Sequence, residues 1–529
     1  MMYKRMTILS VVFMLMFSTL YLRLFVIVQN EEYVSAGKKQ GTYTINAGHT
    51  NGNIYDRNMN SLVNREYEYY AVINPTPEAA EEILPFIRDK DEYYGSLVYG
   101  KPFLCSVTRG KFKSEDITAF KVPVRYGKNS IAHHITGYTA NGEGVCGIEY
   151  AYNDFLRSAE SVNSVTYTVN GYGTALDGIK KDVYNGGEMK SGVVLTIDRY
   201  IQAICELAGR NIKKGAITVM DIYSGDILAM ASFPDYDLEN LDKAVLDEDS
   251  PLINRCLYSY GVGSIFKLVT AQAAFEQGLN EDFSYCCTGS VEVDGQIFKC
   301  HDLGGHGEQN MTEAMANSCN TYFIELSKHI DNQLFIDTAK RMGFGMSIPL
   351  ASGMTASGGN LQTLEDLELP AEKANMSFGQ GKLLAAPLQV CAFTCAIANE
   401  GNYCVPRLVK GITEDKITVS GGESEKITRV MDRETAFRLQ DLMIAAVDKN
   451  PDSNARPNNN HAAGKTSTTQ TARFDEDGTE ICHGWITGFF PLSSPKYAVT
   501  VLCEDGGYGN DCASPVFKEI IERMTNINY

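Results

Sequence analysis

Ile8 to Val28 reads ILSVVFMLMFSTLYLRLFVIV, an apolar run with one charge, Arg23. A helix of about 20 residues spans ~30 Å, the depth of a bilayer's hydrocarbon core. In that medium every backbone N–H and C=O must be bonded within the segment or a closed barrel, so a lone run of this kind is constrained to a spanning helix. A cleaved leader has an apolar region of about 7–15 residues ending in small residues at the cut. Leu24 to Gln29 offers no small-x-small site. The run therefore predicts an uncleaved signal anchor over residues 7–28, with residues 1–6 as a cytoplasmic tail carrying Lys4 and Arg5. Everything after residue 30 is expected outside the cell membrane, and Arg23 can snorkel to the outer interface.

The chain has 529 residues, more than one ordinary domain holds, so at least two folded units are expected. Hydrophobic residues at 44% and charged residues at 21% are those of folded protein. A net charge of -18 excludes the basic footprint that nucleic-acid binding requires. Fourteen cysteines in an exported chain suggest disulfides, but a chain this large does not need a disulfide framework. Cys391 and Cys395, four apart among apolar residues, and Cys503 read as small core residues. Cys287 and Cys300 flank an expected hairpin, Ser290 to Phe298, and are the pair predicted to bridge. Cys286, Cys287, Cys300, His301 and His306 lie close in sequence, yet no CxxC pair is present, so no metal is expected, nor any other cofactor.

From residue 40 to about 185 the chain reads as short strands and turns, with a strand at Tyr67 to Ile73 ended by Asn74-Pro75 and a helix around Pro77 to Leu84. Gly171 to Gly187 is glycine-rich and reads as the joint to the next unit. Residues 186–529 have a different character. Val193 to Ile197 reads as a buried strand and Asp198 as the cap of a helix from Tyr200 to Asn211. Ala216 to Met220 and Ile227 to Ala231 form two strands about the turn Tyr223-Ser224-Gly225-Asp226. Ser264 to Gln277 is helical and closed by Gly278. Strands Lys465 to Thr471, Trp485 to Phe490 and Tyr497 to Cys503 precede a helix from Pro515 to Thr525. Strands flanked by helices predict an α+β domain built on an antiparallel sheet.

Ser264 and Lys267 stand three apart at a helix start, so an amine lies beside a hydroxyl, the minimum for activating a poor nucleophile. The same spacing at Ser493/Lys496 is broken by Pro495, and Ser161-Val162-Asn163 is an isolated Ser-x-Asn. What distinguishes Ser264 is its approach through Gly261-Val262-Gly263 and its downstream companions, Ser318-Cys319-Asn320 and Lys465-Thr466-Ser467. Taken singly, Ser318 and Asn320 read as helix caps, Lys465 as an edge-strand charge, Cys319 as a packed small residue and His306 as structural.

Taken in order, these motifs make the chain resemble the class B penicillin-binding proteins, monofunctional peptidoglycan D,D-transpeptidases. The resemblance extends through Leu195 to Asp198, Gly225 to Met230, Leu252 to Arg255, Gly379-Gln380-Gly381 with Pro387-Leu388-Gln389, Gly464 to Ala472 and His483-Gly484-Trp485. Gly52 to Arg57 and Gly147-Ile148-Glu149 are similar to the family's pedestal motifs. Asn51 stands where arginine is usual, Val262 where proline is common and Ser467 where glycine is usual. The resemblance implies a β-rich pedestal (30–185) and a serine β-lactamase/transpeptidase-like domain (186–529). It implies attack by Ser264 on D-Ala-D-Ala stem peptides, with Lys267 as base and Ser318 as proton relay. It further implies substrate binding by Asn320, Lys465, Thr466 and Thr468, and an oxyanion hole from the N–H groups of Ser264 and Thr468. Inhibition by β-lactams and a lipid II-polymerising membrane glycosyltransferase as partner follow from the same resemblance. Competing functions on the same fold are a D,D-carboxypeptidase or β-lactamase-like hydrolase and a non-catalytic β-lactam sensor or divisome scaffold. Ser467 in place of glycine predicts an active enzyme with altered β-lactam affinity.

Overall fold

A computed structural model describes residues 2–30, 41–238, 240–279, 283–422, 424–458 and 461–527. Helix α1 (Met2–Gln29) is long and apolar enough to cross a membrane, and none of its side chains in the apolar window is buried by protein.

The chain divides into two compact units. The first comprises residues 1–51, 64–125 and 159–189. Its strands are β1 (Thr42–Thr50), β2 (Glu66–Ile73), β3 (Phe103–Val107), β4 (Ile117–Val124), β5 (Ser161–Thr168) and β6 (Asp182–Tyr184). They form two antiparallel three-stranded sheets, ordered β1-β5-β6 and β3-β2-β4. Between β2 and β3, Pro77 opens helix α2 (Pro77–Ile83), and Thr76 caps it by accepting the Ala79 N–H at 3.4 Å. The stretch from Gly171 to Gly187, expected as a joint, instead carries β6 and pairs with β5 inside this unit.

The second unit comprises residues 52–63, 126–158 and 190–529, so the chain crosses between units more than once and no single cut at 185/186 separates them. The cause lies in the backbone: Asn53–Tyr55 pairs in parallel with β7 (Gly192–Leu195), which makes the Gly52 to Arg57 motif sheet material of the second unit. Asp198 caps α3 (Arg199–Ala208), its carboxylate accepting from the N–H groups of Tyr200 and Ile201.

The centre of the second unit is a five-stranded antiparallel sheet. Its strands are β8 (Gly215–Asp221), β9 (Ile227–Phe233), β13 (Ala463–Phe474), β14 (Glu480–Phe490) and β15 (Tyr497–Cys503), in the order β9-β8-β15-β14-β13. Both faces are buried, as the two-residue repeat of strand side chains requires. Ala216, Met220, Trp485, Ala498 and Leu502 point into one core. Ile217, Val219, Ile486, Val499 and Val501 point into the other, beneath α3 and α9 (Ser514–Asn526). In the first core lie α4 (Lys267–Glu276), α5 (Met311–Ala316), α6 (Asn320–Ser327), α7 (Pro387–Ala398) and α8 (Arg433–Ala446). All twelve residues of α7 are buried, Cys391 and Cys395 among them, as their apolar setting implies. Between α4 and α5 lie β10 (Tyr285–Cys287) and the hairpin β11 (Ser290–Val293) to β12 (Gln296–Lys299).

Candidate active site

Ser264 sits in a single 3-10 turn, Gly263–Phe266, that runs directly into α4. Residues three apart eclipse one another in a 3-10 turn. Ser264 Oγ therefore lies 3.0 Å from Lys267 Nζ. The turn is entered through Gly263 at φ +59°, a left-handed conformation that favours glycine. The Gly263 N–H donates to Gly379 O at 2.9 Å, and the two backbones approach so closely that a Cβ on Gly379 would lie 2.0 Å from Gly263 O. The Gly379-Gln380-Gly381 motif thus braces the turn that carries Ser264, a role that sequence spacing did not assign.

Lys267 is fully buried, and its amine is enclosed by acceptors: Ser318 O at 2.6 Å, Asn320 Oδ1 at 2.8 Å and Ser318 Oγ at 3.3 Å. Burial, reinforced by the nearby Lys465 charge, holds its pKa well below the usual lysine value. A neutral amine has two N–H donors and one lone pair. Ser264 Oγ is the nearest remaining neighbour of Nζ at 3.0 Å, so a deprotonated amine donating to Ser318 O and Asn320 Oδ1 would present its lone pair to the serine hydroxyl.

Ser318 and Asn320 reach this point through a sharp junction. After α5, Ser318 adopts φ +51° and α6 begins at Asn320. Neither side chain caps α6, whose N-cap residue, Cys319, makes no capping bond either. Lys465, on β13, is likewise no edge-strand charge: it is buried, and its Nζ donates to Ser318 Oγ at 3.1 Å and to Thr466 O at 3.0 Å. Burial lowers the Lys465 pKa to about 8. A continuous chain of polar atoms links Ser264, Lys267, Ser318 and Lys465.

β13 is the edge of the sheet, paired with β14 on one side only. Lys465, Ser467 and Thr469 are buried on one face of β13 and alternate with the half-buried Thr466 and Thr468 on the other. Thr468 Oγ1 accepts the Gly509 N–H at 3.2 Å, which leaves its own proton available to a ligand. Ser467 turns inward, beneath the turn that carries Ser264: a Cβ on Gly263 would stand 2.3 Å from Ser467 Oγ and 2.7 Å from Thr469 Oγ1. Both hydroxyls are buried without a hydrogen-bond partner among the described residues. Beside them a cleft of about 310 Å³ is lined by Ser259, Gly261, Gly379, Leu384, Thr469 and Arg473.

The expected Cys287–Cys300 bridge is not present; all fourteen cysteines are free thiols. The hairpin they flank does form, but the Cys300 sulfur is turned toward Cys319 Sγ, at 3.9 Å, and His306 Nδ1, at 3.5 Å. The two decoys stay apart from the site. Ser493 and Lys496 lie in the non-helical link between β14 and β15, and Ser161 to Asn163 belong to β5.

Comparison with known proteins agrees with this geometry. Residues 215–522 match the family model described as the penicillin binding protein transpeptidase domain. Stage V sporulation protein D of Bacillus subtilis is 28% identical over 420 residues, 75% of this chain and 62% of that protein. Peptidoglycan D,D-transpeptidase MrdA of Acinetobacter baumannii is 27% identical over 410 residues, 71% of this chain and 60% of that protein. The chain thus spans less than two thirds of the length of these curated relatives. Among solved structures, the D,D-transpeptidase domain of a peptidoglycan glycosyltransferase from Eggerthella lenta superposes with a TM-score of 0.64 at 25% identity, covering 79% of this chain and 94% of that one. A match that takes in the sheet, the serine–lysine turn and both downstream motifs, over more than half the chain, makes this protein a member of the penicillin-binding protein transpeptidase family.

Proposed function

We propose that the protein is a membrane-anchored serine D,D-transpeptidase that cross-links peptidoglycan stem peptides and is acylated by β-lactams. The observation that carries this reading is the buried Lys267, its pKa lowered well below the ordinary lysine value, with Nζ 3.0 Å from Ser264 Oγ. An ordinary lysine, with a pKa of about 10.4, would be protonated and unable to act as a base at neutral pH.

Ser264 Oγ attacks the carbonyl of the penultimate D-Ala while its proton passes to Lys267. The N–H groups of Ser264 and Thr468 hold the resulting oxyanion, a device that contributes several kcal/mol, roughly 3 for one donor. Collapse breaks the C–N bond, and the departing D-Ala amine takes a proton from Ser318. Lys267 Nζ, 3.3 Å from Ser318 Oγ, restores that proton. Lys465, Thr466 and Thr468 bind the terminal carboxylate, and Asn320 holds the substrate amide. The amine of a second stem peptide then attacks the ester, forming the cross-link and returning the proton to Ser264. The β-lactam carbonyl enters by the same first step. No resident cofactor enters the scheme.

In this reading residues 1–6 are cytoplasmic, α1 is the anchor and the chain after residue 30 lies outside the membrane. That arrangement keeps the enzyme beside a lipid II-polymerising glycosyltransferase, the partner we assign to it. Labelling with a fluorescent penicillin tests the proposal: the natural chain should label covalently and Ser264→Ala should not. Labelling that survives the substitution refutes it. Rapid turnover of the acyl-enzyme would reassign the protein as a β-lactamase-like hydrolase.

A further inference from the structure

Cys287, Cys300, His306 and Cys319 bring three sulfurs and one imidazole nitrogen within 4.8 Å of one another. These donors come from four separate stretches: the end of β10, the residue after β12, the Gly305-His306-Gly307 loop and the middle of Ser318-Cys319-Asn320. Convergence of this kind is not ordinary packing, since cysteines used as small apolar residues need no common centre.

The distances match a particular geometry. A tetrahedral zinc ion with Zn–S near 2.3 Å and Zn–N near 2.1 Å sets S···S at ~3.8 Å and S···N at ~3.6 Å. Cys300 Sγ lies 3.9 Å from Cys319 Sγ and 3.5 Å from His306 Nδ1. The loop is shaped to deliver the imidazole: Gly305 has φ +81°, and a Cβ there would lie 2.3 Å from Cys287 O. Thr321 Oγ1 stands 3.3 Å from Cys319 Sγ, a supporting contact of the type that orients metal ligands. All three cysteines are buried. Two of the residues that sequence proximity grouped here fall outside the four: Cys286 is exposed, and His301 only flanks the set, with its ring 4.9 Å from that of His306.

We propose that Cys287, Cys300, His306 and Cys319 bind one structural Zn²⁺, and that this ion positions Ser318 and Asn320. Three sulfurs and an imidazole select a soft, tetrahedral ion over magnesium or calcium. Four protein donors leave no open coordination position, so the ion holds structure and does not activate water. Cys319 lies between the two polar residues of its motif. The ion therefore ties Ser318 and Asn320, both on Lys267, to the β11–β12 hairpin, where Asn320 Nδ2 also donates to Lys299 O at 3.3 Å. Zinc binding is independent of the transpeptidase reading; the positioning role rests on it.

The test uses the full chain purified in detergent under reducing conditions with added zinc. Elemental analysis should find one zinc per chain, and exchange for cobalt should give the visible bands of a tetrahedral cobalt–thiolate centre. His306→Ala and Cys319→Ser should lose the metal, while Cys286→Ser should retain it. Stripping the natural chain with a chelator should lower its melting temperature and slow penicillin acylation tenfold or more, with zinc restoring both. The cobalt spectrum of the natural chain decides the matter if the variants fail to fold. A zinc content below a tenth of an equivalent, or a Cys300–Cys319 disulfide found by peptide mapping, overturns the site. Bound zinc whose removal leaves acylation unchanged overturns the positioning role alone. Absence of acylation in a zinc-loaded chain counts against the transpeptidase reading and not against the site.

Discussion

Lys267 and Lys465 are both buried lysines with lowered pKa values, and the proposed mechanism requires opposite protonation states of them. Lys267 serves when neutral, so acylation rises with pH as it loses its proton, at a pH well below that of an ordinary lysine. Lys465 serves when charged, and above about pH 8 that charge is lost. The second-order rate constant for acylation by penicillin reports the free enzyme. It is expected to pass through a maximum and fall on the alkaline side near pH 8; a rate still rising beyond pH 9 would contradict this assignment. Replacing Lys267 by Met removes the base and should slow acylation by about 10²–10⁴-fold. Ser467 is the residue where the chain departs from the family pattern. Its hydroxyl is buried beneath Gly263 without a partner among the described residues, a condition that costs roughly 1–3 kcal/mol. Ser467→Gly should therefore relieve the turn carrying Ser264 and accelerate acylation, most for bulky β-lactams. Equal rates for every β-lactam tested would show that the serine is neutral.

At the scale of elements, Ser264, the proposed nucleophile, is held by a junction of three pieces: the 3-10 turn at Gly263–Phe266, the Gly379 loop and the edge strand β13. Gly263 is the tightest point. Gly263→Ala imposes a left-handed conformation on an L-residue, at a cost of ~1–2 kcal/mol, and drives its Cβ into Ser467 and Thr469. We expect acylation to fall at least tenfold in this variant. The double variant Gly263→Ala/Ser467→Gly should recover part of the loss, because it removes the nearer obstruction at 2.3 Å and leaves the one at 2.7 Å. Exact additivity of the two effects would mean that the side chains do not interact. The helix and strand pieces themselves were legible beforehand. Asp198 announced its helix because an aspartate before an apolar run can take the first free N–H groups, and the last three strands stood out as apolar runs between turns. What was illegible was the side on which Ser467 lies, since a strand's two-residue repeat says which residues share a face but not what that face meets.

At the scale of the whole molecule, α1 contributes no side chain to either core, so its removal should change location and not chemistry. Deleting residues 2–29 should move the protein from the membrane to the soluble fraction with its penicillin acylation rate unchanged. A chain that stays with the membrane, or loses acylation, would count against α1 as a simple anchor. The division into units was only partly legible: composition marks a change near residue 186, but Asn53–Tyr55 joins the second unit through pairing with β7, and glycine-rich residues near 180 join the first through β6. By itself the sequence determined what depends on neighbours along the chain. That covers the long apolar N-terminal helix, the capped and periodic elements, and a serine and lysine set three apart. Only the tertiary structure decided what depends on enclosure and on contacts between distant residues. Lys267 has a lowered pKa because the folded chain buries its amine and brings the Lys465 charge close to it. Cys319, read from the sequence as a packed small residue, meets Cys287, Cys300 and His306 because four segments fold together there. A pKa or a coordination sphere is a property of what surrounds an atom in space, and the linear order of residues specifies that surrounding only after folding.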